Sequence, residues 1–276
     1  MTTATVTFRL VGPQQAWSSR ERRAYRPTQD HPTKSGVIGL VANALGRDRS
    51  DDITDLVGLR LGVRADRPGV VESDYHTSGS GGFPLLPIEA LDDPTLARAA
   101  AKGLPLDRPY AVPKNIRRDS KGVLVGNRTI KPGVANVILT TDEYLADAAF
   151  TIALTGDRTL VEQISAALAA PARSLHLGRK AYPLSAPPAP AVHLIADPAQ
   201  ALTTVAVTSD SPSEELTLWI EQVPSRNAMS GSTQITVDQP TRFDQRRNVA
   251  RLEERFTTTT LLAAGAVDFF APEEPS

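Results

Sequence analysis

Cysteine is absent from the 276 residues, which excludes disulfides, thiolate metal sites and a cysteine nucleophile. Histidine is scarce. His31, His76, His176 and His193 are dispersed, and no H-x-x-x-H or H-E-x-x-H pattern occurs. No metal or cofactor is therefore expected. A G-x-x-x-x-G-K-[ST] phosphate loop, a convincing dinucleotide G-x-G-x-x-G and a G-x-S-x-G elbow are also missing. No stretch approaches the roughly 18 consecutive apolar residues of a membrane span. The start, MTTATVTFRLVG, lacks the basic and apolar regions of a signal peptide. Together these absences fit a cytoplasmic protein without membrane contact. Adjacent carboxylates such as Asp92-Asp93 and Glu253-Glu254 are expected to face water.

Net charge is nearly absent too, at −1, where nucleic-acid-binding domains are often strongly basic. Its distribution matters more. Between Arg9 and Lys34 six basic residues face only Glu21 and Asp30. Between Asp107 and Lys131 seven face only Asp107 and Asp119. Those two segments hold 13 of the 30 basic residues. A local basic surface on a neutral chain suits a component of a larger ribonucleoprotein; two solvated loops would look the same.

Along the chain, Ala4, Val6, Phe8 and Leu10 alternate with Thr5, Thr7 and Arg9, the pattern of a half-buried strand. Gly12-Pro13 is expected to end this strand. Thr33 is placed to cap a helix carrying Val37, Leu40, Val41 and Ala44, with Gly46 as its C′ residue. A short helix fits Asp51–Val57. Leu59, Leu61, Val63 and Ala65 alternate again, with Val70–Tyr75 as the expected partner after the RPG turn. Residues 77–133 break the periodicity with Gly, Pro and basic residues. They read as an inserted excursion, a projecting hairpin that needs a partner to be ordered. Strands are expected over Val134–Thr140 and Ala148–Leu154. A helix then carries Leu160, Val161, Ile164 and Leu168 until Pro171 stops it. This order suits an α+β, ferredoxin-like domain of the kind shared by RNA-recognition folds. The expected division is 1–187 for that domain, 188–270 for a smaller β-rich part and 271–276 for a tail.

Four constellations could meet RNA. Gln15 can pair with a base edge and Trp17 can stack on a base, or Trp17 plugs the core. Lys34, Ser35 and Gly36 open a helix whose free N–H groups suit a phosphate, or they form a well-capped start. Tyr75 and His76 end a strand; they can act as acid and base through a 2′-OH, contact a nucleotide, or simply lie on the surface. Arg179 and Lys180 beside Gly178 let charge and backbone approach a phosphate together, or form a basic turn.

The series of motifs is more specific than any one of them. L-x-G-P-x-Q-A-W stands at Leu10 to Trp17, R-P-T at Arg26 to Thr28, and P-T-[KR]-S-G-[VIL]-[IL]-G-L at Pro32 to Leu40. D-Y-H-T follows at 74–77, Y-L-x-D-A-x-F-T-[IV]-A-L at Tyr144 to Leu154, and L-G-R-[KR]-x-x-P-L at Leu177 to Leu184. In this order the chain resembles the CasD family, the fifth class of CRISPR-associated proteins in its type I-E form, over residues 4–187. The resemblance implies an RNA-recognition-like fold with a projecting thumb. It implies a non-catalytic subunit of the Cascade complex that caps the 5′ handle of the CRISPR RNA. The backbone subunit and the large subunit would be its neighbours, with target DNA met only through the complex. A relative in another subtype cuts repeat RNA with a Tyr, Lys and His set, so Tyr75, His76 and Lys34 keep a metal-independent endoribonuclease as the alternative. The residues expected on RNA are Gln15, Trp17, Arg26, Lys34, Ser35, Gly36, Tyr75, His76, Arg108, Arg117, Arg118, Arg179 and Lys180.

Overall fold

The computed structural model describes residues 2–18, 25–78, 116–118, 124–126, 138–207, 215–223, 233–245 and 247–259. It is a mixed α/β structure dominated by an antiparallel sheet. The central strands are β1 (Thr3–Gln15), β3 (Arg60–Arg67) and β7 (Ile138–Asp157). Around them run β2 (Tyr25–Arg26), β4 (Val70–Ser78), β8 (Ala191–His193), β9 (Glu215–Gln222), β10 (Thr233–Arg242) and β11 (Arg247–Thr259). The order is β10-β11-β9-β3-β7-β1-β8, and β2 and β4 also pair with β7. Thus β4 joins β7 and not the expected β3. The strand pair β5 (Ile116–Arg118) and β6 (Leu124–Gly126) forms a second sheet. The rest of the excursion, except Thr77 and Ser78, lies outside the described residues.

The chain divides into two compact units. One comprises Met1–Glu21, Pro27–Ser73 and Glu143–Ser276; the other comprises Arg22–Arg26 and Asp74–Asp142. In the larger unit, strands from both sides of Pro187–Pro190 share one sheet, because β9 pairs with β3.

The sheet has two unlike faces. On one, Val6 stands beside Leu154, Phe8 beside Ile152 and Leu10 beside Phe150, and β3 adds Leu61, Val63 and Ala65. This face packs on α1 (Lys34–Ala44) through Val37, Ile38 and Val41, and on α3 (Arg158–Ala169) through Val161, Ile164 and Leu168. Burying each large aliphatic or aromatic side chain there contributes about 1.5–3 kcal/mol. The helix ends are as expected: the Thr33 hydroxyl accepts from the Gly36 N–H at 3.3 Å, and Gly46 takes φ +76° beyond the last turn. Between these helices α2 (Thr54–Val57) is a single turn.

On the other face β1, β3 and β7 present Thr5, Thr7, Arg9, Arg64, Asp66, Thr151 and Thr155. A half-buried strand would leave this polar face to water. Instead the segment carrying β8 and α4 (Pro198–Thr204) covers it. Thr5 Oγ1 donates to the Ile195 carbonyl at 2.6 Å, and the Arg64 guanidinium donates to the carbonyls of Leu202, Val205 and Ala206. Thr5 and Thr7 are consequently as buried as Val6. Farther along the same face Leu202, Leu216, Leu218 and Ile220 form a small apolar cluster.

Strand β7 runs unbroken where the sequence pattern shows two segments. Within it Asp147 takes a φ of +56°, unusual for a non-glycine residue. Arg67 holds it, donating to the Asp147 carbonyl at 2.6 Å and to its carboxylate at 2.7 Å.

Candidate nucleic-acid interface

In the larger unit the L-x-G-P, P-T-K-S-G and L-G-R-K motifs lie close together, and several of their residues are interior. Gln15 is fully buried. Its Nε2 donates to the carbonyls of Leu10 (3.2 Å) and Ala148 (2.7 Å), and its Oε1 accepts from Trp17 Nε1 at 3.1 Å. Trp17 is 1% exposed, and its ring lies so close to Gly36 that a Cβ there would sit 2.7 Å from Cε3. The Trp17 backbone receives Gln29 and reaches the Thr28 hydroxyl, which fixes the R-P-T segment. Gln15, Trp17 and Gly36 therefore join strand to helix and offer no base-reading group to solvent.

Lys34 is corrected in the same way. It is 1% exposed, and its Nζ lies 2.7 Å from Glu221 Oε1 and 3.2 Å from Gln239 Oε1. Burial lowers its pKa, and Glu221 opposes that shift. The helix start holds an anion, but an internal one. The Lys34 N–H donates to Asp238 Oδ2 at 2.7 Å, where the dipole end and free N–H groups favour negative charge. Ser35 is half-buried, with Oγ 3.4 Å from Thr33 Oγ1.

Asp238 belongs to a buried ionic cluster that sequence reasoning missed. Arg251 binds both Asp238 oxygens, at 2.5 and 2.9 Å, and reaches Glu253 at 2.5 Å. His31 Nδ1 lies 2.7 Å from Asp30, and Nε2 lies 3.3 Å from Glu253, a charge contact without good hydrogen-bond alignment. The imidazole stacks on Trp219 at 4.4 Å. Burial alone would lower the His31 pKa; Asp30 and Glu253 outweigh it and raise the value to about 8. Burial would raise Glu253, yet His31 and Arg251 bring it down to about 2. Glu253 is 1% exposed, so the expectation that this carboxylate faces water fails. The available signal was the alternation of Arg251 and Glu253 with Ala250 and Leu252 along one strand.

The L-G-R-K turn is different: it is anchored inside and charged outside. Leu177 is buried, its N–H donates to the Tyr182 carbonyl at 2.7 Å, and its own carbonyl accepts from Ala16 at 3.1 Å. Gly178 has φ +84°, and a Cβ there would lie 1.8 Å from the Ala16 carbonyl oxygen. Gly12 admits Leu177 from the other side, since its Cβ would meet Leu177 Cδ1 at 2.6 Å. Two glycines thus allow this turn to press onto the L-x-G-P motif. On its outer side Lys180 is exposed and Arg179 is half-buried. The Arg179 guanidinium stands 5.7 Å from the Tyr182 ring centroid and 3.2 Å from its hydroxyl, and Tyr144 tilts against Tyr182 at 6.0 Å. Such a turn can offer charge and N–H donors to a phosphate.

In the smaller unit, Arg26 lies 3.3 Å from Asp142 Oδ2. His76 Nε2 is 3.1 Å from Asp74 and 3.7 Å from Asp142, and Tyr75 is exposed. Arg26 and His76 thus share one carboxylate, and Tyr75 precedes His76 in sequence. Arg117 and Arg118 lie on β5, but only their backbone is described; Arg108 lies outside the described residues.

A model of the family described as CRISPR-associated protein (Cas_Cas5) matches residues 5–253. The chain belongs to this family. It is 33% identical over 187 residues to the CRISPR system Cascade subunit CasD of Escherichia coli (strain K12), covering 65% of this chain and 67% of that protein. The crystal structure of a Cas protein is 30% identical with a TM-score of 0.59, covering 93% of this chain and 95% of that one. A chain of a CRISPR RNA-guided surveillance complex is 29% identical with a TM-score of 0.62, covering 93% and 90%. Among the described residues no helix is long and apolar enough to cross a membrane.

Proposed function

We propose that this chain is a non-catalytic subunit of a type I-E Cascade complex that binds and caps the 5′ handle of the CRISPR RNA. The same reading gives it contacts with the backbone and large subunits, and brings it to target DNA only through the complex. Membership of the family and the likeness to a Cascade subunit support the setting. The observation that carries RNA contact is the turn at Gly178, which holds Arg179 and Lys180 on the surface against the L-x-G-P motif. RNA-recognition folds commonly stack bases on sheet aromatics. The polar faces of β1, β3 and β7 carry none and lie under β8 and α4, so the turn and the smaller unit are the proposed contacts. Arg26, Tyr75, His76, Arg108, Arg117 and Arg118 belong to that second group, in the inserted thumb or beside it.

Binding is tested with the handle RNA against a scrambled RNA of equal length. Tighter binding of the handle is expected; equal binding sinks the reading. Replacing Arg179 and Lys180 by alanine should lower the slope of log K against log salt by about 0.7 for each phosphate that the protein no longer neutralises. The endoribonuclease alternative keeps one supporting feature, the exposed Tyr75 beside a His76 paired to Asp74. Against it, Lys34 is buried in the larger unit and paired with Glu221. Metal-independent cleavage of repeat RNA that disappears in His76→Ala would make the alternative win.

A further inference from the structure

Strand alternation gives the smaller unit two unlike faces. β2 pairs in parallel with β7, so that Tyr25 stands beside Thr141 and Arg26 beside Asp142; β4 also pairs with β7. One face is ionic. Arg26 lies 3.3 Å from Asp142, and His76 Nε2 lies 3.1 Å from Asp74 and 3.7 Å from Asp142. Successive residues of a strand point to opposite faces. Tyr25 and Tyr75, each next in sequence to a member of that ionic group, therefore share the other face with Thr141. Both are open to solvent, at 54% and 61%, and Leu139, two residues along β7 from Thr141, is exposed on the same side. β2 and β4 flank β7, so the two tyrosines stand two strand spacings apart, about 10 Å. The unit that carries this face is basic. Its sequence has twelve Lys and Arg against seven Asp and Glu, a net of +5; the rest of the chain, with eighteen against twenty-four, has a net of −6.

We propose that Tyr25 and Tyr75 form a stacking platform for unpaired bases of a single-stranded RNA. RNA-recognition sheets hold splayed bases on two or three aromatic rings. Stacking asks only for the open face of each ring, whatever its hydroxyl does. A protein could also cover two exposed tyrosines, but the positive charge of the unit favours a polyanion. The platform rests on the RNA-binding function proposed above and adds to it the part that phosphate contacts do not supply, a hold on the bases.

The test titrates the full chain with three RNAs of equal length: the handle, a scrambled handle, and the handle paired with its complement. Each carries a fluorescent base analogue that is quenched by stacking. The single strands should bind more tightly than the duplex. Tyr25→Ala and Tyr75→Ala should each weaken single-strand binding by about 5- to 150-fold, relieve the quenching, and leave the salt slope and the melting temperature nearly unchanged. Tyr25→Phe and Tyr75→Phe keep the rings and should keep both affinity and quenching. Duplex bound as tightly as single strands, or phenylalanine variants that lose as much as the alanine ones, overturns the platform. Handle and scrambled RNA bound equally, and both weakened by the alanine changes, keep the platform and sink the handle reading. A handle preference untouched by the alanine changes keeps that reading, sinks the platform and leaves the tyrosines to a protein partner. If no RNA binds, both fall.

Discussion

Lys34 combines a full positive charge with near-complete burial, and that combination decides what its removal does. Its ammonium is held by Glu221 and Gln239, while its backbone N–H meets Asp238. Replacing one partner of a buried ion pair leaves the other charge uncompensated, which typically costs about 3–5 kcal/mol. Lys34→Met should therefore lower the unfolding free energy, read by urea denaturation, by that order. A double change to Lys34→Met with Glu221→Leu should recover part of the loss. The salt slope of RNA binding should be unchanged, because Nζ is not presented to solvent. A reduced slope with unchanged stability would return Lys34 to the phosphate-binding residues. Trp17 and Gln15 behave alike: each is a residue type that RNA-binding proteins expose, placed here where its polar atoms are satisfied internally.

At the scale of elements, periodicity found what apolar burial controls. The alternation in β1, the capped helix α1 and the amphipathic α3 all appear where the spacing places them. What periodicity could not find was set by distant partners. The polar face of β1 reads as solvent-exposed until β8 and α4, almost two hundred residues later, cover it. The charged residues of β11 read as surface until Asp238 and His31 meet them. Of the candidate site, the Arg179–Lys180 turn could be read directly, because glycine at a forced left-handed position and two adjacent cations are local features. Gly178→Ala should separate the roles of that turn. Alanine at φ +84°, with its Cβ driven toward the Ala16 carbonyl, should destabilise the protein by at least about 1 kcal/mol and weaken RNA binding as well. Arg179→Ala with Lys180→Ala should weaken RNA binding and leave the melting temperature nearly unchanged. Equal stability loss in both variants would show that the cations hold the turn and not a ligand.

For the whole molecule, the cluster joining α1 to β9, β10 and β11 makes stability depend on pH from two sides. The folded pKa of His31, about 8, lies above its ordinary 6.5. The folded state therefore binds this proton more tightly than the unfolded chain. Its contribution is complete below about pH 6.5 and is lost as pH rises through about 8. A shift of that size corresponds to about 2 kcal/mol. Glu253 is displaced the other way, from 4.5 to about 2, so its contribution is present above about pH 4.5 and is lost as pH falls through about 2. His31 and Glu253 share one interaction, so the two losses are not additive. Urea denaturation at intervals between about pH 6 and about pH 9 should show stability falling by about 2 kcal/mol in the native sequence. His31→Gln should be less stable at the acid end of that range and flat across it. A native profile that is itself flat would mean that His31 titrates with its ordinary pKa, and that Asp30 and Glu253 do not hold the imidazolium against Trp219.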